Sequence, residues 1–192
     1  MEIDDSKYYW KNNLIRLRPP RDEDWEALLP NMFDSEARFL FSELELPVDR
    51  ETYRQSHVEW LRQEKGFLRF AIENKAGKHV GIANLFGVDE RNGVFGPIGI
   101  QINPMDRGMG YAVSAYRMLG RYMFCERRMH KWNSAYMEGN AASAALHKKM
   151  GFVVEGIRRD IAYHEGRYWN EVLCGVTEAE FFENEKLLPE YT

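Results

Sequence analysis

The sequence predicts an α+β fold in one domain: a mixed, mostly antiparallel central sheet with helices set between its later strands. Two observations carry this. Period-two runs cluster in the middle and towards the end of the chain, and apolar stripes of helical period lie before, between and after them. No internal repeat or low-complexity linker divides the 192 residues, so one domain over 1–192 suffices, with a core of about 13–182.

The elements follow in order. NLIRLRP, from Asn13, is a short strand in which Leu14 and Arg16 alternate with Ile15 and Leu17, and Pro19-Pro20 stops it. RDEDWEALLPNMF reads as a first helix with acidic residues in its opening turn. FSELELP is a loop, and Asp49 is placed to cap a helix running to about Glu64, with Tyr53, His57, Trp60 and Leu61 on one face. The period then changes. Phe67–Glu73, His79–Val88 and Val94–Ile102 are three strands, joined through the turn sequences NKAGK and DERNG into an antiparallel meander. PMDRGMG leads into a helix from Tyr111 to Arg127. Its buried stripe is Ala112, Ala115, Tyr116, Leu119, Tyr122 and Met123, and Arg117 and Arg121 face outward. Lys131–Glu138 is a further strand, and GNAASAALHKKMGF is a helix closed by Gly151, a residue suited to a left-handed C-terminal cap. FVVEGIRRDIAY and RYWNEVLCGV are two strands around the turn HEGR, and a short helix from Thr177 to about Leu187 ends the chain.

Composition bounds the function classes. Apolar residues make up 44% and aromatics 14%, which suits a globular domain with a large core. The net charge of −4 sits in Thr177–Thr192, where Glu178, Glu180, Glu183, Glu185 and Glu190 face Lys186 alone; the remaining body balances. A balanced body lacks the dominant basic field of a general nucleic-acid binder. The acidic start MEIDDSKYYWKNN has no apolar segment of signal-peptide type, and no run approaches the length of a membrane span. Cys125 and Cys174 form no CxxC and read as buried, reduced thiols. Together these predict a cytoplasmic protein with no nucleic-acid or membrane partner, whose acidic tail helix suits a homodimer interface as readily as solvent.

The stretch PMDRGMGYAVSAY poses the functional question, because Gly108 and Gly110 open a helix although glycine is a poor helix former. A strand, a glycine turn and a helix start form a device for holding phosphate: free N–H groups point outward, the dipole favours negative charge, and missing side chains permit close approach. The Walker form fails, since Tyr111-Ala112 follows Gly110 in place of Lys-Ser/Thr. The dinucleotide form lacks its third glycine, Val113 standing there, and antiparallel strands precede it. A glycine turn that only tightens the strand–helix joint is the remaining alternative. From Arg107 to Lys131 six basic residues face one acid, Glu126, a local excess that suits a polyphosphate.

A second element lies about thirty residues on. RGMGYA with its helix, then a strand, then NAASAALHKKMGF, resembles the GNAT acyltransferase superfamily. Arg107, Gly110 and Ala112 match its acetyl-CoA signature Q/R-x-x-G-x-G/A. Asn140, Ser143, Lys149, Gly151, Phe152, Glu155 and Gly156 match the downstream pattern, which is similar to that of ribosomal-protein-alanine and spermidine N-acetyltransferases. The resemblance runs from about Asn13 to Phe182. It implies a sheet with two splayed central strands, IGIQI and KWNSAYM, and a cytoplasmic enzyme that moves an acetyl group from acetyl-CoA directly to a primary amine. That amine belongs to a protein N-terminus, a polyamine or an antibiotic. By the same resemblance the CoA pyrophosphate sits on the N–H groups of Arg107, Gly108, Met109, Gly110, Tyr111 and Ala112. Its pantetheine arm pairs with the backbone around Gln101 and Ile102, and Asn140 and Ser143 line the thiol end. No metal is implied.

Amine acetylation needs a proton acceptor, an N–H for the oxyanion, for which the end of IGIQI is placed, and a proton for the leaving thiolate. His147 stands where many family members carry tyrosine; it is either that proton donor, in its charged form, or a solvated helix residue beside Lys148 and Lys149. Ser143 is the alternative donor, or it only hydrogen-bonds pantetheine. Gln101 stands where some relatives hold a glutamate. Glu138, Asp89, Glu90 and His164 are polar enough to act as base, each is equally a turn or surface residue, and a water relay dispenses with all of them. Glu43 and Glu45 are placed to attract a cationic amine, and Tyr163, His164, Tyr168 and Trp169 to wall an acceptor pocket or to pack. The alternative to an enzyme is a non-catalytic CoA-binding sensor of the same fold.

Overall fold

The computed structural model describes residues 7–41, 44, 46–62 and 68–186. Among the described residues, eight strands form two sheets: β1 Ile15–Arg18, β2 Leu68–Asn74, β3 His79–Leu85, β4 Val94–Phe95, β5 Ile98–Ile102, β6 Lys131–Met137, β7 Val153–His164 and β8 Arg167–Thr177. The first sheet has the order β1-β2-β3-β5 and is antiparallel throughout. The second has the order β4-β6-β8-β7, with β4 parallel to β6 and the rest antiparallel.

The predicted strand Val94–Ile102 is in fact two. Val94 and Phe95 register with Lys131 and Trp132, whereas Ile98 to Ile102 register with Leu85 back to Gly81. The break falls at Gly96-Pro97, a cis peptide, with Gly96 at φ 104°. A Cβ on Gly96 would overlap the carbonyl oxygen of Asn133 and crowd the Trp132 ring. Only glycine lets the two backbones come this close. Beyond it the strands separate, as the two named splayed strands were expected to do. The antiparallel meander holds for β2, β3 and β5 and is corrected at β4.

Among the described residues the α-helices are α1 Trp25–Leu28, α2 Ser35–Phe41, α3 Arg50–Arg62, α4 Tyr111–Arg121, α5 Ala141–Lys149 and α6 Glu178–Glu185. The first predicted helix breaks into α1 between two 3-10 turns, Asp22–Asp24 and Leu29–Phe33; Pro30 withholds a donor N–H at the second. Helix α2 lies just before the predicted loop and was not foreseen. Asp34 caps it, accepting from the Ala37 N–H at 3.0 Å. Asp49 caps α3 as predicted, accepting from Thr52 N–H at 2.8 Å. Helix α4 widens into a π turn, Tyr122–Glu126, so the predicted Tyr111–Arg127 is one continuous but changing helix. The predicted ends at Glu64, Phe67 and Leu187 lie outside the described residues.

The core joins the sheets below the divergence. Trp132, fully buried, packs against Phe95, Tyr116 and Phe152 at centroid distances of 5.2, 4.8 and 5.0 Å. Cys174 is buried as predicted, but Cys125 is exposed, because the π turn carries it to the outer side. Arg121 faces outward as predicted, whereas Arg117 is drawn in; both reach Glu185 of α6, at 2.8 and 3.3 Å, and that carboxylate is buried beneath them.

Gly96→Ala is expected to lower the free energy of unfolding by about 2 kcal/mol or more. Gly77→Ala, at a positive φ but with open space around the added Cβ, should cost only about 1 kcal/mol. Urea melts of the two variants check the contrast, and equal losses would show that strand divergence does not depend on close approach at Gly96.

Candidate active site

The glycine turn precedes α4, with Gly108 at φ 78° and Gly110, the N-cap, at φ 81°. Among the described residues, no hydrogen-bond acceptor meets the backbone N–H of Gly108, Met109, Gly110, Tyr111, Ala112 or Val113; the first bond of α4 runs from Ser114 N–H to Gly110 O at 3.0 Å. A helix start leaves four such donors. Here the run is longer, and the turn that holds it is exposed at Gly108 and Met109. The Arg107 side chain turns away from its own loop. It pairs with Asp34 at 2.7 Å and donates to the Ile102 carbonyl at 3.2 Å, tying the cap of α2 to the end of β5.

Five of the six basic residues in this stretch are tied into ion pairs. Arg107 pairs with Asp34, Arg117 and Arg121 with Glu185, Arg127 with Glu90, and Lys131 with Glu155. Donor N–H groups, rather than free cations, therefore give the turn its capacity for an anion.

The ladder decides which strand residues face the split. Phe86 N–H donates to Pro97 O and Asn103 N–H to Val80 O, so in this register Gly99 and Gln101 form the hydrogen-bonded pairs with Asn84 and Ile82. The backbone of Gln101 is thus consumed by β3, which corrects its assignment as a pantetheine partner. Ile98, Ile100 and Ile102 present their N–H and C=O groups to the split instead. The Ile98 carbonyl accepts from Tyr116 Oη at 2.7 Å, the Ile102 carbonyl from Arg107, and the groups of Ile100 meet no described partner. On β6 the same parity turns Asn133, Ala135 and Met137 to the split, since Glu138 N–H donates to Asn170 O on the β8 side.

Helix α5 begins where β6 ends. Asn140 caps it, accepting from Ser143 N–H at 2.9 Å, and reaches the Leu40 carbonyl of α2 at 3.5 Å. Ser143 is half-buried one turn in. His147 is 3% exposed, which corrects the expectation of a solvated ring. Its helix turns it inward, away from Lys148 and Lys149, onto a face-on contact with Tyr136 and edge contacts with Tyr116 and Phe152. Nδ1 lies 2.7 Å from the Ser143 carbonyl and 3.2 Å from Ser143 Oγ, and Nε2 lies 2.8 Å from Ser134 Oγ. A carbonyl only accepts, so Nδ1 carries the proton and Nε2 accepts from Ser134. A neutral ring with both nitrogens engaged is no direct proton donor to a thiolate.

On the opposite face α2 crosses between the sheets. Phe39 stacks on His164 at 3.9 Å and meets the edge of Trp169, while the Arg167 guanidinium lies 3.5 Å over the Trp169 ring. His164 and Trp169 therefore pack, whereas Tyr163 and Tyr168 stay largely exposed. Of the other polar candidates, Asp89 caps its own turn through Asn92 and Glu90 pairs with Arg127. Glu138 is exposed at the end of β6, and Glu43 and Glu45 lie outside the described residues. The sequence missed Asp34, Ile100 and Ser134; Asp34 had a cap signature, and strand parity has no signal without register.

Burial holds the His147 imidazole below its ordinary value, against the opposing hydrogen bond to the Ser143 carbonyl. On acidification the unfolded chain takes up this proton before the folded one. The neutral ring thus contributes stability that is present above an ordinary value of about 6.5 and lost as pH falls through the lowered folded value. His147→Phe should flatten the fall in Tm between about pH 7 and 5; His79, also lowered by burial, remains in both proteins. Identical Tm profiles would show that the ring is not kept neutral by burial.

Comparison with known proteins agrees with this architecture. Residues 15–153 match the acetyltransferase (GNAT) domain family. The chain is 30% identical over 175 residues to the uncharacterized SPbeta prophage-derived N-acetyltransferase YokL of Bacillus subtilis (strain 168), covering 90% of this chain and 95% of that one. In fold it is similar to spermidine N-acetyltransferase from Vibrio cholerae, crystallised with CoA and spermine: TM-score 0.73, 18% identity, 88% of this chain and 98% of that one. It is similar also to a GNAT-family acetyltransferase from Bacillus anthracis, with TM-score 0.74 and 22% identity over 88% and 98% of the two chains. The split sheet, the bare glycine turn and the match along the chain lead to one conclusion: this protein belongs to the GNAT acetyltransferase family and is an acetyl-CoA-dependent N-acetyltransferase.

Proposed function

We propose that this chain transfers the acetyl group directly to a primary amine, of a protein N-terminus or of a small polycation, inside the split between β5 and β6. One observation carries the reading: among the described residues, six consecutive unpaired N–H groups at the head of α4 open onto two strand edges whose facing backbone is unpaired at Ile100 and Ala135. These residues fit a ligand with a pyrophosphate at one end and amide groups along its arm. The N–H groups of Gly108 to Ala112 take the pyrophosphate, and the backbone of Ile100 and Ile102 takes the arm as a strand would.

Acetyl-CoA, when bound, supplies an acetyl group activated as a thioester. The chain's own residues do the rest. The free N–H of Ile100 or Ile102 is positioned to stabilise the oxyanion, and such donors are worth about 10²–10³ in rate. Ser143, at the start of α5, gives a proton to the departing sulfur. Helix α2 and the β7–β8 hairpin orient the amine and exclude water from that face. The amine's own proton leaves through water, since each carboxylate on the described rim is exposed or engaged elsewhere. Holding both reactants in the split contributes most of the acceleration.

Gly110→Val should abolish acetyl-CoA binding, measured by calorimetry, while the melting temperature falls by only a few degrees, on the order of one strained residue. Unchanged affinity would remove the glycine turn from the site. With the unaltered protein, thiol release from acetyl-CoA should rise on adding spermidine, kanamycin or a peptide with a free N-terminal alanine. Binding without release on any of the three, and without a mass gain of one acetyl group, would favour a CoA sensor instead.

A further inference from the structure

His147 is buried, polar and adjacent to the proposed donor, yet it touches no open part of the split. Its hydrogen bonds nonetheless have a direction. Ser134, on β6, donates to Nε2 at 2.8 Å; Nδ1–H lies between the Ser143 carbonyl at 2.7 Å and Ser143 Oγ at 3.2 Å. Because the ring has one N–H and directs it at Ser143, Ser143 Oγ can only accept from it. The hydroxyl hydrogen of Ser143 is then left without an internal acceptor and is free to point away from the ring. The Ser143 carbonyl, which cannot donate, fixes this tautomer, and Ser134, whose hydroxyl can turn either way, completes it by donating to Nε2, so the chain runs from β6 to α5 in one direction only.

We propose that His147 is a positioning residue for Ser143, the last link of a hydrogen-bond chain Ser134–His147–Ser143 that presents the Ser143 O–H to the departing sulfur. This rests on the acetyl-transfer reading above. The step balances: as the carbon–sulfur bond breaks and sulfur keeps the electron pair, Ser143 Oγ passes its proton to sulfur. Ser143 regains one, through water, from the ammonium formed when the amine attacks. The His147 N–H stabilises the negative charge that builds on Oγ meanwhile, and it does so as a neutral donor. Burial lowers the imidazole pKa and so keeps the second proton off the ring. Aromatic contacts with Tyr136, Tyr116 and Phe152 hold its plane.

A double-mutant cycle in kcat tests the coupling, with the amine that gives turnover in the assay above as acceptor. Ser143→Ala is expected to lower kcat by about 10²-fold. His147→Phe, which keeps the ring packing, should lower it by about tenfold with acetyl-CoA affinity unchanged. In the pair, His147→Phe should cost nothing further, within about twofold. Ser134→Ala, the smaller change, should show the same pattern with a smaller effect, and it decides the matter if His147→Phe does not fold. Additive losses, a His147→Phe protein with full kcat, or a Ser143→Ala protein with full kcat would each overturn the proposal while leaving acetyl transfer standing. No turnover by the unaltered protein would overturn both.

Discussion

Two strands that begin as parallel neighbours and then part are the constraint on which this structure depends. At Gly96 the backbone of the β4–β5 segment comes so close to Asn133 that no side chain fits, and beyond it β5 joins the other sheet. A sheet ordinarily pairs its backbone groups throughout, and unpaired edges inside a protein are costly. Here the two edges diverge into a wedge whose unpaired backbone, among the described residues, belongs to Ile100 on one side and to Ala135 on the other. In the reading proposed above, the wedge is a preformed receptor for an extended, amide-bearing ligand.

The wedge must also be kept at one width, and α4 does this. Tyr116 donates to the Ile98 carbonyl of β5 while its ring packs on Trp132 of β6 and meets the edge of His147 from α5. One side chain thus spans both halves below the opening. Burial pushes its hydroxyl well above the usual phenol range, so it stays a donor at any pH the protein meets. On the opposite face α2 plays the matching part, from the Leu40 carbonyl at Asn140 to Phe39 against His164. The Arg107–Asp34 pair links α2 to the end of β5 and to the glycine turn. Ligand site and acceptor wall therefore share one set of supports.

Much of this was legible in the sequence because it rests on local chemistry. Asp49, Thr177 and Gly151 cap helices as their residue types demand, the hairpin turns at Glu165-Gly166, and the glycine turn opens α4. What failed depended on partners far along the chain. Arg117 looks solvated on a helical wheel, but Glu185, in α6, draws it in. His147 has two lysines beside it and still turns inward, because a helix separates neighbours by about 100°. Gln101 and Ile100 differ by one position in a strand, and only the register against β3, fixed by the Pro97 and Asn103 bonds, decides which of them faces the ligand.

The pairing of Arg107 with Asp34 changes how the site should be understood. A cationic cradle would bind any polyphosphate and would weaken steeply with salt. Backbone donors act only over hydrogen-bond distance and in fixed directions, so they favour a ligand whose phosphates and amides match both the turn and the strand edge. Specificity for the acetyl carrier, in the site proposed, is therefore built from the path of the main chain. In the proposed site, the side chains of α2 and of the β7–β8 hairpin are then free to vary with the amine, without disturbing the turn proposed to hold the cosubstrate.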